Sequence, residues 1–141
     1  MNSLISSLQR LEAIGFRLCG TWSLLESGKP KLSLLEHASD NNVLYAFVCQ
    51  EEVVYVGKTI KTLKSRMYGY ANPGNTQFTN KRGNAEIRKA LESGEFVHVY
   101  ALPDNGLLRY GGFHLNLAAG LEDSLLFELK PSWNKRLGND A

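Results

Sequence analysis

The sequence predicts a single α/β domain in which a small, mostly antiparallel central sheet is flanked by helices. Two apolar runs, residues 43–49 and 53–56, are separated by a short polar turn, a pattern typical of a β-hairpin. Segments with apolar residues at helical spacing lie on both sides of this hairpin in the chain. At 141 residues, the chain is most simply one domain that is large enough for a real core.

The pattern of residues 1–42 predicts an N-terminal extension that consists of a helix and a β-hairpin. Leu4, Leu8 and Leu11 fall on one helical face, which would pack either against the domain or against another subunit. Alternating apolar residues on both sides of a Gly/Pro-containing turn then indicate the hairpin. We expect this extension and a core formed by residues 43–141 to make one compact domain.

The second half of the chain predicts a loop, two helices and a strand. The polar segment 71–83 predicts a long exposed loop, after which Asn84 would cap a helix. Residues 96–101 predict a further strand. Asn116 would cap the last helix, in which Glu122 lies beside the apolar stripe rather than opposite it.

Composition argues against several classes of protein. No apolar run approaches the roughly 20 residues of a membrane span, so we expect no membrane partner. The N-terminus also lacks the basic start and long apolar core of a signal peptide. Cys19 and Cys49 give neither a disulfide framework nor a zinc spacing, so we expect two reduced thiols in a cytoplasmic protein.

The net charge of +2 conceals an uneven distribution along the chain. Residues 58–89 carry +7, with Glu86 as the one acidic residue, so the remainder carries −5. Such a basic segment predicts contact with nucleic acid, although a solvated basic surface would look the same. Its candidate DNA-binding side chains are Lys61, Lys64, Lys81, Arg82, Arg88 and Lys89.

Several side chains suited to an anion occur at the end of the second apolar run. Lys58 comes three residues after Tyr55, and Arg66 and Tyr70 are four residues apart on one face of the following helix. An arginine, a lysine and phenol hydroxyls suit an oxygen-rich anion such as phosphate. The strand tyrosines alone would be explained equally well as core residues.

The two apolar runs resemble the two sequence elements that give the GIY-YIG nuclease family its name. Val43-Leu44-Tyr45 matches the first element, except that valine replaces the glycine. Tyr55-Val56-Gly57 keeps the Tyr-hydrophobic-Gly form of the second element. The ten-residue separation of the two tyrosines is also that of the family.

The resemblance continues through the helices that follow. Arg66 and Tyr70 match the arginine and the aromatic residue of the family's first helix. Glu122 and Asn134, twelve residues apart, match its closing glutamate and asparagine. The arrangement is most similar to that of a small stand-alone phage endonuclease in this family, and it spans nearly the whole chain.

The resemblance implies a divalent-metal-dependent endonuclease that hydrolyses DNA phosphodiester bonds. Glu122 would hold one cation, Mg²⁺ or Mn²⁺, with several waters retained. Arg66 would stabilise the transition state, and Tyr55 would be the general base, with Lys58 nearby to assist it. Tyr45 and Tyr70 would bind the phosphate or orient water. Asn134 would hold the site residues in place without contacting the phosphate.

Two other functions remain open from the sequence. The first is a nucleic-acid-binding module of the same fold that does not cut, although binding alone would not require Glu122. The second is a protein-interaction domain, which leaves the basic segment unexplained. The recognised DNA, the biological role and any cleavage of RNA also stay open.

One active site would hold one scissile phosphate at a time, so each chain would cut one strand. A double-strand break would then require a homo-oligomer, either a dimer or a tetramer.

Overall fold

The computed structural model describes residues 5–103 and 108–136, with side chains described as far as Asn134. Its elements in chain order are α1 (Ser7–Ala13), β1 (Arg17–Leu24), β2 (Pro30–Leu34), β3 (Asn41–Cys49), β4 (Glu52–Thr62), α2 (Leu63–Ala71), α3 (Phe78–Glu92), β5 (Val97–Pro103), β6 (Arg109–Tyr110), β7 (Phe113–His114), α4 (Leu117–Leu129) and α5 (Ser132–Arg136). This order of helices and strands agrees with the predicted α/β class.

Five of the strands form one antiparallel sheet in the order β2-β1-β5-β3-β4, which confirms the predicted architecture. Strands β3 and β4 form the predicted hairpin, with Tyr45 opposite Gly57 and Phe47 opposite Tyr55. Apolar residues on both faces of each run would suit central strands, but β4 lies at the edge of the sheet. Its apolar residues are buried because helices α4 and α5, rather than a sixth strand, pack against it.

Strand alternation gives the sheet two buried faces, each covered by helices. Helices α2, α3 and α5 cover one face, which we call the tyrosine face because it buries Tyr45, Tyr55 and Tyr70. Helices α1 and α4 cover part of the opposite face. Leu8 and Leu11 of α1 are buried in that second core, so core packing accounts for these two leucines, while Leu4 lies outside the described residues.

Helix α3 differs from its prediction, because it begins at Phe78 and not after Asn84. The predicted exposed loop over residues 71–83 is therefore wrong in its second half. Gly83 lies inside the helix, where a Cβ would be 2.6 Å from the ring of Tyr70. A glycine normally weakens a helix, but here it permits close packing between α3 and α2.

Helix α4 begins as predicted, because the side chain of Asn116 accepts a hydrogen bond from the backbone N–H of Ala119. The helix ends at Leu129, and the next residue, Lys130, has a left-handed backbone with φ of 46° immediately before Pro131. Among the described residues, no helix combines the length and the apolar character that crossing a membrane would require.

Candidate active site

Three tyrosine hydroxyls meet in a buried hydrogen-bonded chain on the tyrosine face. The Oη atoms of Tyr45 and Tyr70 are 2.8 Å apart, and the Tyr70 hydroxyl donates to Tyr55 Oη at 3.3 Å. Because a phenol has one proton to donate, Tyr45 is then the donor to Tyr70. The chain of donation therefore runs from Tyr45 through Tyr70 to Tyr55, and all three residues are at most 2% exposed.

Burial raises the pKa of the Tyr45 phenol, and it raises the pKa of the Tyr70 phenol well above its ordinary value. The nearby guanidinium of Arg66 lowers both pKa values, but by less than burial raises them. Both phenols therefore stay protonated near neutral pH. They can donate and accept hydrogen bonds, whereas neither is suited to removing a proton from water.

Arg66 is held in place by the tyrosine chain and by helix α3. Its Nη2 donates to Tyr70 Oη at 2.8 Å, and its Nη1 donates to Oδ1 of Asn80 at 2.6 Å. The guanidinium carbon also lies 4.2 Å from the centroid of the Tyr70 ring. A guanidinium has five N–H donors, so donors remain for the oxygens of a phosphate.

Gly57 allows the tyrosine chain to form beside the edge strand. A Cβ at this position would be 2.6 Å from Tyr45 Oη and 2.7 Å from its Cζ. Any larger residue would therefore displace the Tyr45 hydroxyl from Tyr70. This contact is a physical reason for a glycine after Tyr55-Val56 in this sequence.

Lys58 and Glu122 form an ion pair on the other side of the same edge, with 3.6 Å between Nζ and Oε1. Strand alternation directs Lys58 away from the tyrosine face and towards α4, so it pairs with Glu122 rather than lying beside Tyr55. Gly57 and Lys58 are successive residues of an edge strand. The candidate site therefore straddles the edge of β4, with the tyrosines and Arg66 on one face and this ion pair on the other.

The carboxylate of Glu122 is largely buried, with 18% of the side chain exposed. Burial raises the pKa of Glu122, and Asp123 raises it further, while Lys58 lowers it in part. Among the described residues, no group of three or more His, Cys, Asp and Glu side chains could form a metal cage. A single carboxylate still fits Mg²⁺, which keeps several waters and needs only one or two carboxylates.

Asn134 braces the edge strand from α5. Its Oδ1 accepts from the backbone N–H of Val56 at 2.9 Å, and its Nδ2 donates to the carbonyl oxygen of Val56 at 2.9 Å. These backbone groups face away from β3, so the side-chain amide replaces the strand neighbour that an edge lacks. Asn134 is 2% exposed and thereby fixes the backbone immediately before Gly57.

We expect Asn134→Ala to lower the free energy of unfolding by about 2–5 kcal/mol, because it leaves a buried N–H and a buried C=O of Val56 unpaired. Urea denaturation of the two proteins measures this difference. Asn134→Asp keeps the acceptor for the Val56 N–H but buries a carboxylate oxygen against the Val56 carbonyl, so at neutral pH it should be no more stable than Asn134→Ala. A loss below about 0.5 kcal/mol in the alanine variant would contradict the bracing role.

The candidate DNA-binding side chains are all exposed, and they lie on three elements. Lys61 lies near the end of β4, and Lys64 lies on α2 beside the β1–β2 hairpin. The other four, Lys81, Arg82, Arg88 and Lys89, lie along α3. Lys81 and Arg82 are next to Asn80, which binds Arg66, so these two are the α3 pair nearest to the site in sequence.

Two asparagines of α3 contribute to the site and were not identified from the sequence. Asn80 accepts the hydrogen bond from Arg66, and Nδ2 of Asn84 donates to the carbonyl oxygen of Tyr70 at 2.8 Å. Asn80, Gly83 and Asn84 have the spacing of one helical face, which could have indicated a helix packed against α2. The polar composition of residues 71–83 instead favoured a loop.

Two solved structures share the fold over most of the chain. A glutamate-to-alanine mutant of bacteriophage T4 EndoII has a TM-score of 0.70 and 24% sequence identity, with 90% of this chain and 98% of that chain covered. The restriction endonuclease HPY188I, in complex with product DNA, has a TM-score of 0.53 and 16% identity, with coverage of 94% and 87%. No family model and no curated protein matches the sequence. These likenesses confirm the predicted resemblance at the level of the fold.

Proposed function

We propose that this protein is a divalent-metal-dependent endonuclease that hydrolyses DNA phosphodiester bonds, one strand per active site. One observation carries the proposal. At the edge of β4, Arg66 and the tyrosine chain lie on one face of the strand, and the Lys58–Glu122 pair lies on the other face. The two similar structures are those of EndoII and of a restriction endonuclease with product DNA, which favours the same activity here.

Arg66 stabilises the negative charge that develops on the non-bridging oxygens of the scissile phosphate. Its guanidinium is already oriented by Tyr70 and Asn80, so it does not need to reorganise when that charge develops. Tyr45 and Tyr70, which burial keeps protonated, orient Arg66 and the hydroxyl of Tyr55.

Tyr55 is the general base in this proposal, because it is the last acceptor of the tyrosine chain and the other two phenols hold their protons. Glu122 would hold the cation, Mg²⁺ or Mn²⁺, and Lys58 favours the ionised carboxylate that this requires. When bound, such a cation supplies positive charge for the phosphate and for the leaving oxygen. Asn134 keeps β4, and with it Gly57 and Lys58, in register.

The test is incubation of the purified protein with supercoiled plasmid, with Mg²⁺ and separately with EDTA. We expect nicked circles with Mg²⁺ and unchanged plasmid with EDTA. Nicked circles should precede linear DNA if each chain cuts one strand. Binding of the plasmid without nicking, in Mg²⁺ and in Mn²⁺, would replace this proposal with the non-cleaving module.

We expect the double variant Lys81→Ala/Arg82→Ala to flatten the salt dependence of DNA binding. Each lost phosphate contact should reduce the log–log slope by about 0.9, so two lost contacts should reduce it by about 1.8. Fluorescence anisotropy with a labelled duplex at several salt concentrations measures the slope.

Arg10→Ala/Arg17→Ala is a matched control, because it removes two exposed arginines, one on α1, which covers the opposite face of the sheet, and one at the start of β1. An equal loss of slope in both double variants would show that the first turn of α3 is not a preferred DNA contact.

A further inference from the structure

The small ribbon formed by β6 and β7 carries the two most exposed aromatic side chains of the described residues. Tyr110 is 83% exposed and Phe113 is 81% exposed. Tyr110 pairs directly with Phe113, and Arg109 pairs directly with His114. Because directly paired residues lie on the same side of a ribbon, one side is aromatic and the other side is basic.

The ribbon is ordered by its own hydrogen bonds and has a narrow tip. The N–H of Leu115 donates to the carbonyl oxygen of Leu108 at 2.8 Å, and Nη1 of Arg109 donates to that of Gly112 at 3.3 Å. The turn is Gly111-Gly112, and a Cβ at either glycine would meet nothing within 4 Å. A two-stranded ribbon whose turn carries no side chains is narrow enough to enter the major groove of DNA.

Described residues that precede and follow the ribbon in the chain lie near the candidate active site. Pro103 at the end of β5 is opposite Val43, which is opposite Thr59 beside Lys58. Two strand spacings separate Pro103 from Thr59, about 10 Å. On the other side, Asn116 caps α4 six residues before Glu122, about 9 Å along the helix. Phe113 lies three residues before Asn116, at most about 10 Å further, so the aromatic pair lies within about 20 Å of Glu122, which corresponds to about six base-pair steps of DNA.

Exposed aromatic residues in such a position indicate a binding surface rather than a solvated one. Residues 108–115 contain no acidic side chain, and Arg109 is positively charged. Aromatic and basic groups on one element match the two chemistries of nucleic acid, since bases stack on aromatic rings and phosphates attract cations. A second copy of the chain would match the aromatic side only.

We propose that this ribbon is a wedge that places Tyr110 and Phe113 against DNA bases within a few steps of the scissile phosphate and unstacks a base-pair step there. Arg109, on the other side of the ribbon, contacts the backbone. The inference rests on the proposed endonuclease function and adds a device that distorts the substrate. Apolar wedges of this kind kink the duplex, which here would turn the scissile phosphate towards the half-buried Arg66.

The experiment uses a series of duplexes in which 2-aminopurine replaces one base at each position within about six steps of a mapped nick. Glu122→Ala protein in EDTA binds these duplexes without cutting them, and 2-aminopurine fluorescence rises when the base is unstacked. We expect a several-fold rise with this protein in at least one of the duplexes. Adding Tyr110→Ala and Phe113→Ala should abolish the rise and weaken binding by about tenfold or more.

Phe96→Ala in the same background is the matched control, because Phe96 is 70% exposed and precedes β5 at the other end of the sheet. It should leave both the fluorescence rise and the affinity unchanged. Tyr110→Phe keeps the ring and loses the hydroxyl, so it should retain the rise.

Three results would overturn the inference. If the duplexes are bound and wild-type protein nicks DNA, but the rise is absent at every position or survives both ribbon substitutions, the wedge is wrong and the endonuclease stands. If the ribbon substitutions convert an oligomer to a monomer in sedimentation and leave the bound DNA stacked, the ribbon is a subunit interface. If wild-type protein neither binds nor nicks DNA, the endonuclease and the wedge both fail.

Discussion

Glu122→Ala protein should lose cleavage by at least about 10²–10³-fold and should still bind DNA. Glu122 is the carboxylate that would hold the cation, whereas the basic side chains of α2 and α3 that would attract DNA are unchanged. Removing a negative charge beside the substrate can even strengthen binding, because a repulsion is lost. Single-turnover nicking and anisotropy with the same duplex separate the two effects.

Glu128→Ala is the matched control on the same helix. Glu128 pairs with Arg10 at 3.4 Å, and about half of each side chain is exposed, so its loss should change stability by less than about 1 kcal/mol. Its nicking rate should equal that of wild type. If Glu122→Ala nicks plasmid at the wild-type rate, Glu122 does not hold the cation and the site is assigned wrongly.

Arg66→Ala should slow the cleavage step by roughly 10²–10³-fold at saturating protein. The change removes the guanidinium that lies on the Tyr70 ring and binds Tyr70 and Asn80. Arg66→Lys keeps the positive charge but loses the planar fork, so its rate should lie between those of Arg66→Ala and wild type. Thermal unfolding of each variant verifies that the protein remains folded.

Arg17→Ala controls for the general loss of an arginine, because Arg17 donates to the backbone carbonyls of Glu12 and Phe16, away from the β4 edge. It should cleave at the wild-type rate. If Arg66→Lys cleaves as fast as wild type, the orientation of the guanidinium does not matter and charge alone explains its effect.

The parts of the fold predicted well from the sequence are those fixed by local chemistry. The hairpin of β3 and β4 follows from apolar runs on both sides of a polar turn, and the start of α4 follows from the cap at Asn116. The start of α3 could not be predicted in this way. Its first residues look like a loop, and the helix depends on the packing of Gly83 against the ring of Tyr70.

The arrangement of the candidate site was predicted only in part. The residues that resemble the nuclease signature lie along both sides of the β4 edge, and their catalytic roles remain proposals. The sequence predicted Lys58 beside Tyr55, whereas side chains three residues apart on a strand point to opposite faces of the sheet. The edge position of β4 depends on which strands pair across the whole sheet, and no local pattern contains that information.

The central claim is that Arg66 and Glu122 of one chain form one active site across the β4 edge. The most direct measurement is plasmid nicking by Arg66→Ala and Glu122→Ala chains that are co-expressed with different tags and purified together through both tags. If the protein proves monomeric, an equimolar mixture replaces this preparation. We predict that the combined Arg66→Ala and Glu122→Ala protein is as inactive as either variant alone, whereas wild-type protein that is prepared identically is active. Recovery of a substantial fraction of wild-type nicking would show that the site combines Arg66 and Glu122 from different subunits.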